Sequence, residues 1–399
     1  MSRFLVFPRN GSTPVAAGWL WLAAGIGLFA GIAPGWEPTV HAQTAERLHL
    51  RTSRGMAIAG SGAWMCSDEV REETMLWPVL VKGRLGYMDK SGGIAIEPQF
   101  SAAGLFSEGL AAVGEERENA IGVRYSLRFI NAAGKAQVSF DKGYPEGGEF
   151  SEGLAPVYLD KGWGYVDRTG AFRVEPQFGF YPYAGRFSEG LACVKIGKQM
   201  GYIDRSGHPV IPPQYKNASE FRNGLAAVQV GNRWGFIDRS GKLLIPAQFD
   251  QAGCFCDDLA PVKVGKKWGY IDKTGKLAIA PQFESARNFS RGDRLAAVKL
   301  KGKWGYIDPT AKVAVGFSFD MADHFSEGLA GVEVGGKWGF IDPQGKMVIP
   351  PQFDAAYPFW GGLALVSFGR VGIGGPLNIS TLRLGYIDKT GRYVWEPRR

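Results

Sequence analysis

From about residue 75 onward, short runs of alternating apolar and polar residues succeed one another with turn residues between them. Residues 259–283 are representative. LAPVKV, KWGYID and KLAIA each alternate over the length of a β-strand. Gly265-Lys266 separates the first pair and Asp272-Lys273-Thr274-Gly275 the second. In the second turn the Asp side chain can hold a type I bend, and the glycine can take the left-handed conformation that closes a bulged hairpin. Pro281-Gln282-Phe283 then ends the meander, because proline has no N–H for a central ladder. A loop carries the chain to Phe289, and Leu295-Ala296-Ala297-Val298 restarts the cycle. The pattern therefore predicts three antiparallel strands per unit.

The glycine of each Trp-Gly-aromatic core serves as a register mark. It falls at Gly86, Gly164, Gly201, Gly235, Gly269, Gly305, Gly339 and Gly385, with a worn copy around Arg128 and Phe129, making nine copies. The basic period is about 34 residues, and a fixed period in this range is the mark of a repeat architecture. The fuller unit reads roughly F-S-E-G-L-A-x-V-x-V-G-K-x-W-G-[YF]-I-D-x-x-G-K-x-x-I-x-P-Q-F. It resembles the bacterial WG-repeat family, also called KWG repeats, over about residues 76–399. That resemblance implies a repeat architecture and assigns no activity. The expected fold is all-β, a tandem array of about nine three-stranded β-meander repeats of ~34 residues. An open solenoid is favoured over a propeller-like ring, because ~34 residues is short for a four-stranded blade of about 40–45. One repeat cannot bury its apolar face alone, so stacking must supply the core.

On KWGYID the tryptophan, the second aromatic and the aspartate project to one face, while glycine and isoleucine project to the other. A glycine inside a strand commonly marks a close approach of backbone. Trp163-Gly164, Trp234-Gly235, Trp268-Gly269, Trp304-Gly305 and Trp338-Gly339 are accordingly read as packing devices of the repeat core. The competing reading is a ladder of aromatic platforms for sugars or quaternary ammonium groups. In the end repeats, Trp360 and Trp395 are candidate partner-binding residues. Phe106, Phe150, Phe187, Phe221, Phe255, Phe289, Phe325 and Phe359 are read as plugs beneath the loop. Glu108, Glu152, Glu189 and Glu327 are read as solvated turn carboxylates.

The first 42 residues differ in kind. Arg3 and Arg9 precede an uncharged apolar run at residues 15–33, and Val40-His41-Ala42 offers small residues suited to a signal peptidase. This segment is read as an export signal, with an N-terminal membrane anchor through residues 15–33 as the alternative. Either one places the array in the periplasm, on the cell surface or outside the cell. Residues 43–74 match no repeat and are read as a linker with a short helix at 67–73, ahead of a WG-repeat β array at 75–399.

The full chain carries a net charge of +8, and removing Arg3, Arg9 and Glu37 leaves 44 basic and 37 acidic residues, or +7. The excess is spread through turn lysines, which argues against a nucleic-acid stripe and for no more than weak attraction to anionic wall polymers or membranes. Cys66, Cys193, Cys254 and Cys256 form no disulfide framework by spacing, and Cys254-x-Cys256 lacks the second pair or histidine of a metal site. The histidines stand at non-equivalent positions, and no nucleophile, base and carboxylate can be grouped from spacing. The recurring aspartates belong to turns, one carboxylate per loop being too few for calcium. No cofactor and no catalytic residue is expected. Polar insertions at 114–124 and 369–383 are candidate binding loops. The expectation is a non-catalytic exported scaffold for a protein partner in the cell envelope, with cell-wall glycan binding through exposed aromatics as the alternative.

Overall fold

The computed structural model describes residues 46–49, 57–62, 75–119, 122–141, 148–159, 162–179, 184–369 and 383–398. Nine sheets follow one another along the chain, one for each copy of the repeat. Blade 1 spans residues 77–100, blade 2 102–140, blade 3 148–178, blade 4 185–215, blade 5 217–249, blade 6 251–283, blade 7 285–319, blade 8 321–353 and blade 9 355–398. The reading of residues 1–42 as a signal or anchor, and of 67–73 as a short helix, lies outside the described residues. Within the stretch read as a linker, Glu46–His49 and Ala57–Gly62 form an antiparallel pair, and Ala57–Gly62 runs parallel to Ala102–Gly104 on the inner side of blade 2.

Blade 6 shows the common plan. Ala260–Val264 pairs with Lys267–Ile271, and Lys267–Ile271 with the outer strand Leu277–Phe283. A fourth strand of only two residues, Gln251–Ala252, joins the free side of Ala260–Val264. It is drawn from the segment read as a loop, so a unit of about 34 residues suffices for a four-stranded blade, below the usual length. The inner strand lengthens to Ser285–Phe289 in blade 7 and Met321–Ser326 in blade 8. In blades 3 and 4 it shrinks to one bond, from the Gly148 or Gly185 N–H to the carbonyl of Pro156 or Cys193.

The Trp-Gly pair sits where the outer strand bulges. Trp268 lies opposite Phe283 and Tyr270 opposite Ile279, so two steps on one strand face four on the other. The backbone of the bulge crowds the intervening glycine. A Cβ on Gly269 would stand 2.4 Å from the Ile279 carbonyl oxygen, and one on Gly305 2.7 Å from that of Val315. The close approach is thus made by the blade's own outer strand and not by a neighbour's ring. Pro281 falls in this bulge, where no ladder N–H is needed. Trp163, Trp234, Trp304 and Trp338 are buried, and Trp268 is half-buried.

The array closes into a ring, which corrects the open solenoid. Blades 5, 6, 8 and 9 seat the glycine of the D-x-x-G turn on an aliphatic residue of the preceding outer strand: Gly241 on Ile211, Gly275 on Ile245, Gly345 on Val315 and Gly391 on Ile349; in blade 7 Ala311 holds that position, packed against the cluster that contains Ile279. Across the seam, Gly92 of blade 1 comes up against Val394 of blade 9, chiefly against its backbone carbonyl. The buried tyrosines repeat the pattern. Tyr270 donates its hydroxyl to the Arg287 carbonyl at 2.7 Å, Tyr306 to that of Asp323 at 2.7 Å, and across the seam Tyr386 to that of Pro78 at 2.9 Å. Trp77 packs edge-on against Trp360 with ring centres 5.9 Å apart, and its indole N–H donates to the Trp360 carbonyl at 3.2 Å. Trp77, Val79, Met88, Leu363, Tyr386 and Trp395 form one buried cluster across that seam. The two end-repeat tryptophans therefore both lie at the closure, Trp395 buried and Trp360 half-buried. The physical reason for closure is that each blade is turned from the last by the same set of contacts, and the ninth turn meets the first blade. Closure also leaves no apolar end face without a neighbour.

Gly305 and Gly316 lie in the same blade but differ in surroundings, since a Cβ at Gly316 would meet nothing within 4 Å. Gly305→Ala should therefore lower stability by about 1–3 kcal/mol through the clash, while Gly316→Ala should change it by less than about 1 kcal/mol in either direction. Urea unfolding of the two variants beside the parent chain checks this difference.

Candidate functional site

The turns that enter the second strand of each blade gather at one mouth of the ring. In blade 2, Ser107 and Leu110 exchange both backbone bonds, at 2.9 and 3.1 Å, around Glu108 and Gly109 with φ of 50° and 78°. That is a two-residue turn of the I′ kind, whose hand matches the twist of the flanking strands. A glutamate in the left-handed region is disfavoured by itself, and links to the next blade offset the cost. The Ser107 hydroxyl donates to the Phe150 carbonyl at 2.7 Å, and the Glu108 carboxylate accepts from the Gly153 N–H at 3.0 Å. The pattern continues from Ser151 to Phe187 and from Glu152 to Gly190, then from Ser188 to Phe221 and from Glu189 to Gly224. Ser326 and Glu327 do the same toward Phe359 and Gly362. The carboxylates read as a solvated row are thus inter-blade ties.

The D-x-x-G turns open on the same face. The Asp272 carboxylate accepts from the Thr274 N–H at 2.9 Å, the Thr274 hydroxyl at 2.6 Å and the Lys276 N–H at 3.1 Å. The threonine hydroxyl, with the backbone N–H groups, holds this carboxyl and that of Asp308 below the usual carboxylate range. For Asp167 the same Thr hydroxyl bond, joined by Arg173, brings the value down to about 2. The residue after the aspartate carries charge toward the neighbouring turn, as where Lys389 pairs with Glu327 at 3.3 Å and Lys273 with Asp258 at 3.3 Å.

The regular turn is broken in three successive blades, 5 to 7, and again at the seam, where blade 9 has Trp360-Gly361-Gly362. Blade 5 has Arg222-Asn223 where others have Ser-Glu, blade 6 has Cys256-Asp257-Asp258, and blade 7 has the longer Ser290–Arg294. Asn223 takes over the serine's tie, donating its side-chain N–H to the Phe255 carbonyl at 3.3 Å. Arg186 of blade 4 reaches Glu220 at 3.3 Å and Glu149 at 4.0 Å, and Arg222 reaches Glu220 at 3.5 Å. Arg291 approaches Asp257 at 3.9 Å.

Together these side chains shape a cleft of about 410 Å³, lined by Glu108, Glu152, Arg186, Glu189, Asn223 and Arg291 among others. Its walls come from blades 2, 3, 4, 5 and 7, which in a ring can meet only at the centre. A second cleft of about 420 Å³ continues past Asn223 to Asp257, Asp258, Lys273 and Arg294. The mouth can hold a polar chain by charge-assisted hydrogen bonds on both signs. Below it, Asp323 lies 3.0 Å from the His324 ring and 3.5 Å from Arg287. Burial alone would raise the Asp323 carboxyl, but His324 and Arg287 outweigh it and hold the carboxyl well below the usual range.

Among the described residues no three His, Cys, Asp or Glu side chains gather as metal ligands, and no helix is long and apolar enough to cross a membrane. Burial is the chief cause that raises the Cys193 and Cys254 thiols, the latter accepting from the Asn288 side chain at 3.0 Å, whereas Cys256 is disulfide-bonded. The repeat tryptophans lie in the blade cores and not at the mouth. The insertion at 114–124 belongs to the long pair Ala111–Asn119 and Gly122–Ile130 of blade 2, and residues 370–382 lie outside the described residues. Arg186, Arg222, Asn223 and Arg291 were not singled out from sequence as site residues. The signal was the loss of Ser-Glu-Gly at one turn in adjacent copies.

Nine blades closed around a charged mouth define a nine-bladed β-propeller built from tandem repeats. Residues 86–116, 163–199, 200–234, 234–268, 268–304, 304–338 and 338–369 match the family described as WG containing repeat, and the chain belongs to that family. No curated protein matches the chain. Among solved structures, a eukaryotic initiation factor is similar with a TM-score of 0.58 at 12% identity, over 80% of this chain and 95% of that one. Apo AztD from Citrobacter koseri has a TM-score of 0.39 at 12% identity, covering 69% of this chain and 94% of its own. Sqt1 from Chaetomium thermophilum has a TM-score of 0.39 at 10% identity, covering 73% and 93%. At these identities the likeness concerns the fold alone.

Because the turn aspartates are held below their ordinary value, their contribution to stability is complete above about pH 4, the ordinary aspartate value. It is lost as the pH falls through the folded-state values, about 2 for Asp167. The thermal midpoint should therefore drop most steeply below about pH 4, with Asp167→Asn, Asp272→Asn and Asp308→Asn combined flattening that drop. Calorimetry across this range tests the expectation, and an unchanged slope in the triple variant would count against it.

Proposed function

We propose that this chain is a non-catalytic, exported scaffold that holds a protein partner in the cell envelope, with a polar segment of the partner seated at the mouth on blades 4 to 7. The observation that carries this reading is where the repetition fails. The bulge and the inter-blade packing recur with little change, while the mouth turn departs from Ser-Glu-Gly in the adjacent blades 5 to 7, besides the seam blade 9, and adds Arg222, Asn223, Asp257 and Arg291 around the two clefts. A framework that repeats and a concave surface that varies are the division expected of a binding protein. Arginine and asparagine suit recognition of a peptide's carboxylates and backbone amides.

Export is supported by the basic start and the apolar run at residues 15–33, and by the disulfide at Cys256, a bond that persists in oxidising compartments. Glycan binding through the repeat aromatics would need open ring faces, and Trp163, Trp234, Trp304 and Trp338 are buried. Burial of these rings favours the protein partner.

The test is photo-crosslinking in the native host, with a photoreactive residue in place of Arg291 at the mouth and, as a control, in place of the exposed Val210 on an outer strand. A discrete protease-sensitive adduct formed from position 291 and absent from 210 is expected. Identical adducts from both positions, or an adduct at 291 removed only by wall-degrading enzymes, would overturn the reading.

A further inference from the structure

The face opposite the mouth is built from the hairpins that join the second and third strands, and its repeated element is an aliphatic residue across from a base, exposed in blades 5, 6 and 8 and half-buried at Leu300 and Val81. Val230 lies across from Arg233, Val264 from Lys267, Leu300 from Lys303 and Val334 from Lys337. Val81 and Arg84 of blade 1 have the same relation. Val230, Val264 and Val334 are 45%, 44% and 42% exposed, well above the other aliphatic residues of their strands. They flank turn glycines Gly231, Gly265 and Gly335, around which a Cβ would find nothing within 4 Å, so these tips project clear of the ring.

In blades 5 to 8 the acids on this face are held within it, Glu284 accepting from the Gly302 N–H at 3.0 Å. Asp250 accepts from the Gly265 N–H at 2.6 Å and pairs with Arg233, Asp320 accepts from Gly335 at 2.8 Å and pairs with Lys303, and Asp354 pairs with Lys337 at 2.7 Å. The acids thus brace the hairpins and take up the bases beside them. Lys266, Lys267 and Lys301 have no acidic partner among the described residues. What faces outward is a set of aliphatic tips, Val264 beside Lys266 and Lys267, Val334 across from Lys337 and Val230 across from Arg233, with Lys301 on the hairpin of blade 7 between them.

We propose that this face docks on an anionic lipid surface, the aliphatic tips entering the headgroup boundary and the lysines meeting lipid phosphates. Separate tips on a ring suit a fluid interface, which closes around each one, better than they suit a protein, which would have to fill the gaps between them. The unpaired lysines supply the complementary charge, each adding to attraction within a Debye length of the membrane. The arrangement leaves the charged mouth on the far side of the ring, open to solvent.

The experiment is flotation of the full chain with phosphatidylglycerol-containing vesicles and with phosphatidylcholine vesicles, at low and moderate salt. The N-terminal apolar segment is present in every protein compared, so differences between variants report on the ring face. Lys266→Gln, Lys267→Gln and Lys301→Gln combined should weaken binding to the anionic vesicles at low salt by about a hundredfold, with a clear loss also for Val230→Ser, Val264→Ser and Val334→Ser combined. A control with the outer-strand residues Val210 and Leu244 changed to Ser should bind like the parent. All of these positions are exposed, so the thermal midpoints should stay together. Equal binding by parent and both variant sets, equal binding of the parent to neutral and anionic vesicles, or binding to anionic wall polymer without binding to vesicles would each overturn the proposal.

Discussion

The ring depends on one aromatic side chain per blade, the residue after Trp-Gly. Tyr270 is fully buried, sets its ring 4.9 Å from that of Phe289 in blade 7, and donates its hydroxyl to the carbonyl of Arg287 in that blade's inner strand. The same aromatic pair recurs between neighbouring blades as Tyr165 with Phe187, Phe236 with Phe255, and Phe340 with Phe359, at 4.9 Å in each case. Tilted and edge-to-face pairs of this kind add to the area they bury, about 0.5–1.5 kcal/mol each. Because the contact fixes both separation and angle, repeating it turns a row of sheets into a ring. The Trp-Gly bulge serves this contact, since the crowded glycine allows the outer strand to fold close behind the aromatic that faces the next blade.

That arrangement separates stability from specificity. Between the blades, the aromatic pair, the D-x-x-G glycine and the tyrosine hydroxyl all act inside or beside the core, where a change of one methylene is felt. At the mouth, the turn needs only a left-handed pair of residues and one tie to the next blade. Asn223 shows how loose that requirement is, because it preserves the tie to Phe255 while releasing the position before it to arginine. Blade 7 goes further, opening the turn by two residues so that Arg291 reaches the cleft shared with blades 2 to 5. Variation costs least where the backbone is already held by its neighbours.

How much of this could be read from sequence follows from the range of each interaction. The second, third and outer strands were legible because alternation and turn chemistry are local, and Asp272-Lys273-Thr274-Gly275 closes the turn its residues suggest. The inner strand was not. Gln251–Ala252 is too short for a period, and its pairing with Val262 and Lys263 exists only once the mouth turn has brought it back. Closure was illegible for a different reason. It depends on the rotation between blades accumulated around the whole ring, and no residue of one repeat records that sum. Trp360 and Trp395 looked like end-repeat surface because sequence position makes them terminal, while the ring brings both against Trp77 of blade 1. The mouth was half legible: its departures from Ser-Glu-Gly were visible, but that the turns of blades 2 to 5 and Arg291 share one cleft is a property of the closed ring.

The two faces of the ring then follow from how antiparallel strands alternate. A chain that runs up the inner strand, down the second, up the third and down the outer must place the mouth turns and the D-x-x-G turns together, and the Gly-Lys hairpins on the other side. Acidic and basic side chains at the mouth are held in place by ties between blades, as with Glu152 on Gly190 and Arg186 between Glu149 and Glu220. On the opposite side the acids answer the hairpin glycines of the following blade and leave lysines outermost. One repeated unit therefore makes a preorganised polar cleft on one face and a basic, aliphatic-tipped rim on the other. A ring that rests on a surface by its rim would present its cleft away from that surface, so the positions that vary most would be those most open to a partner.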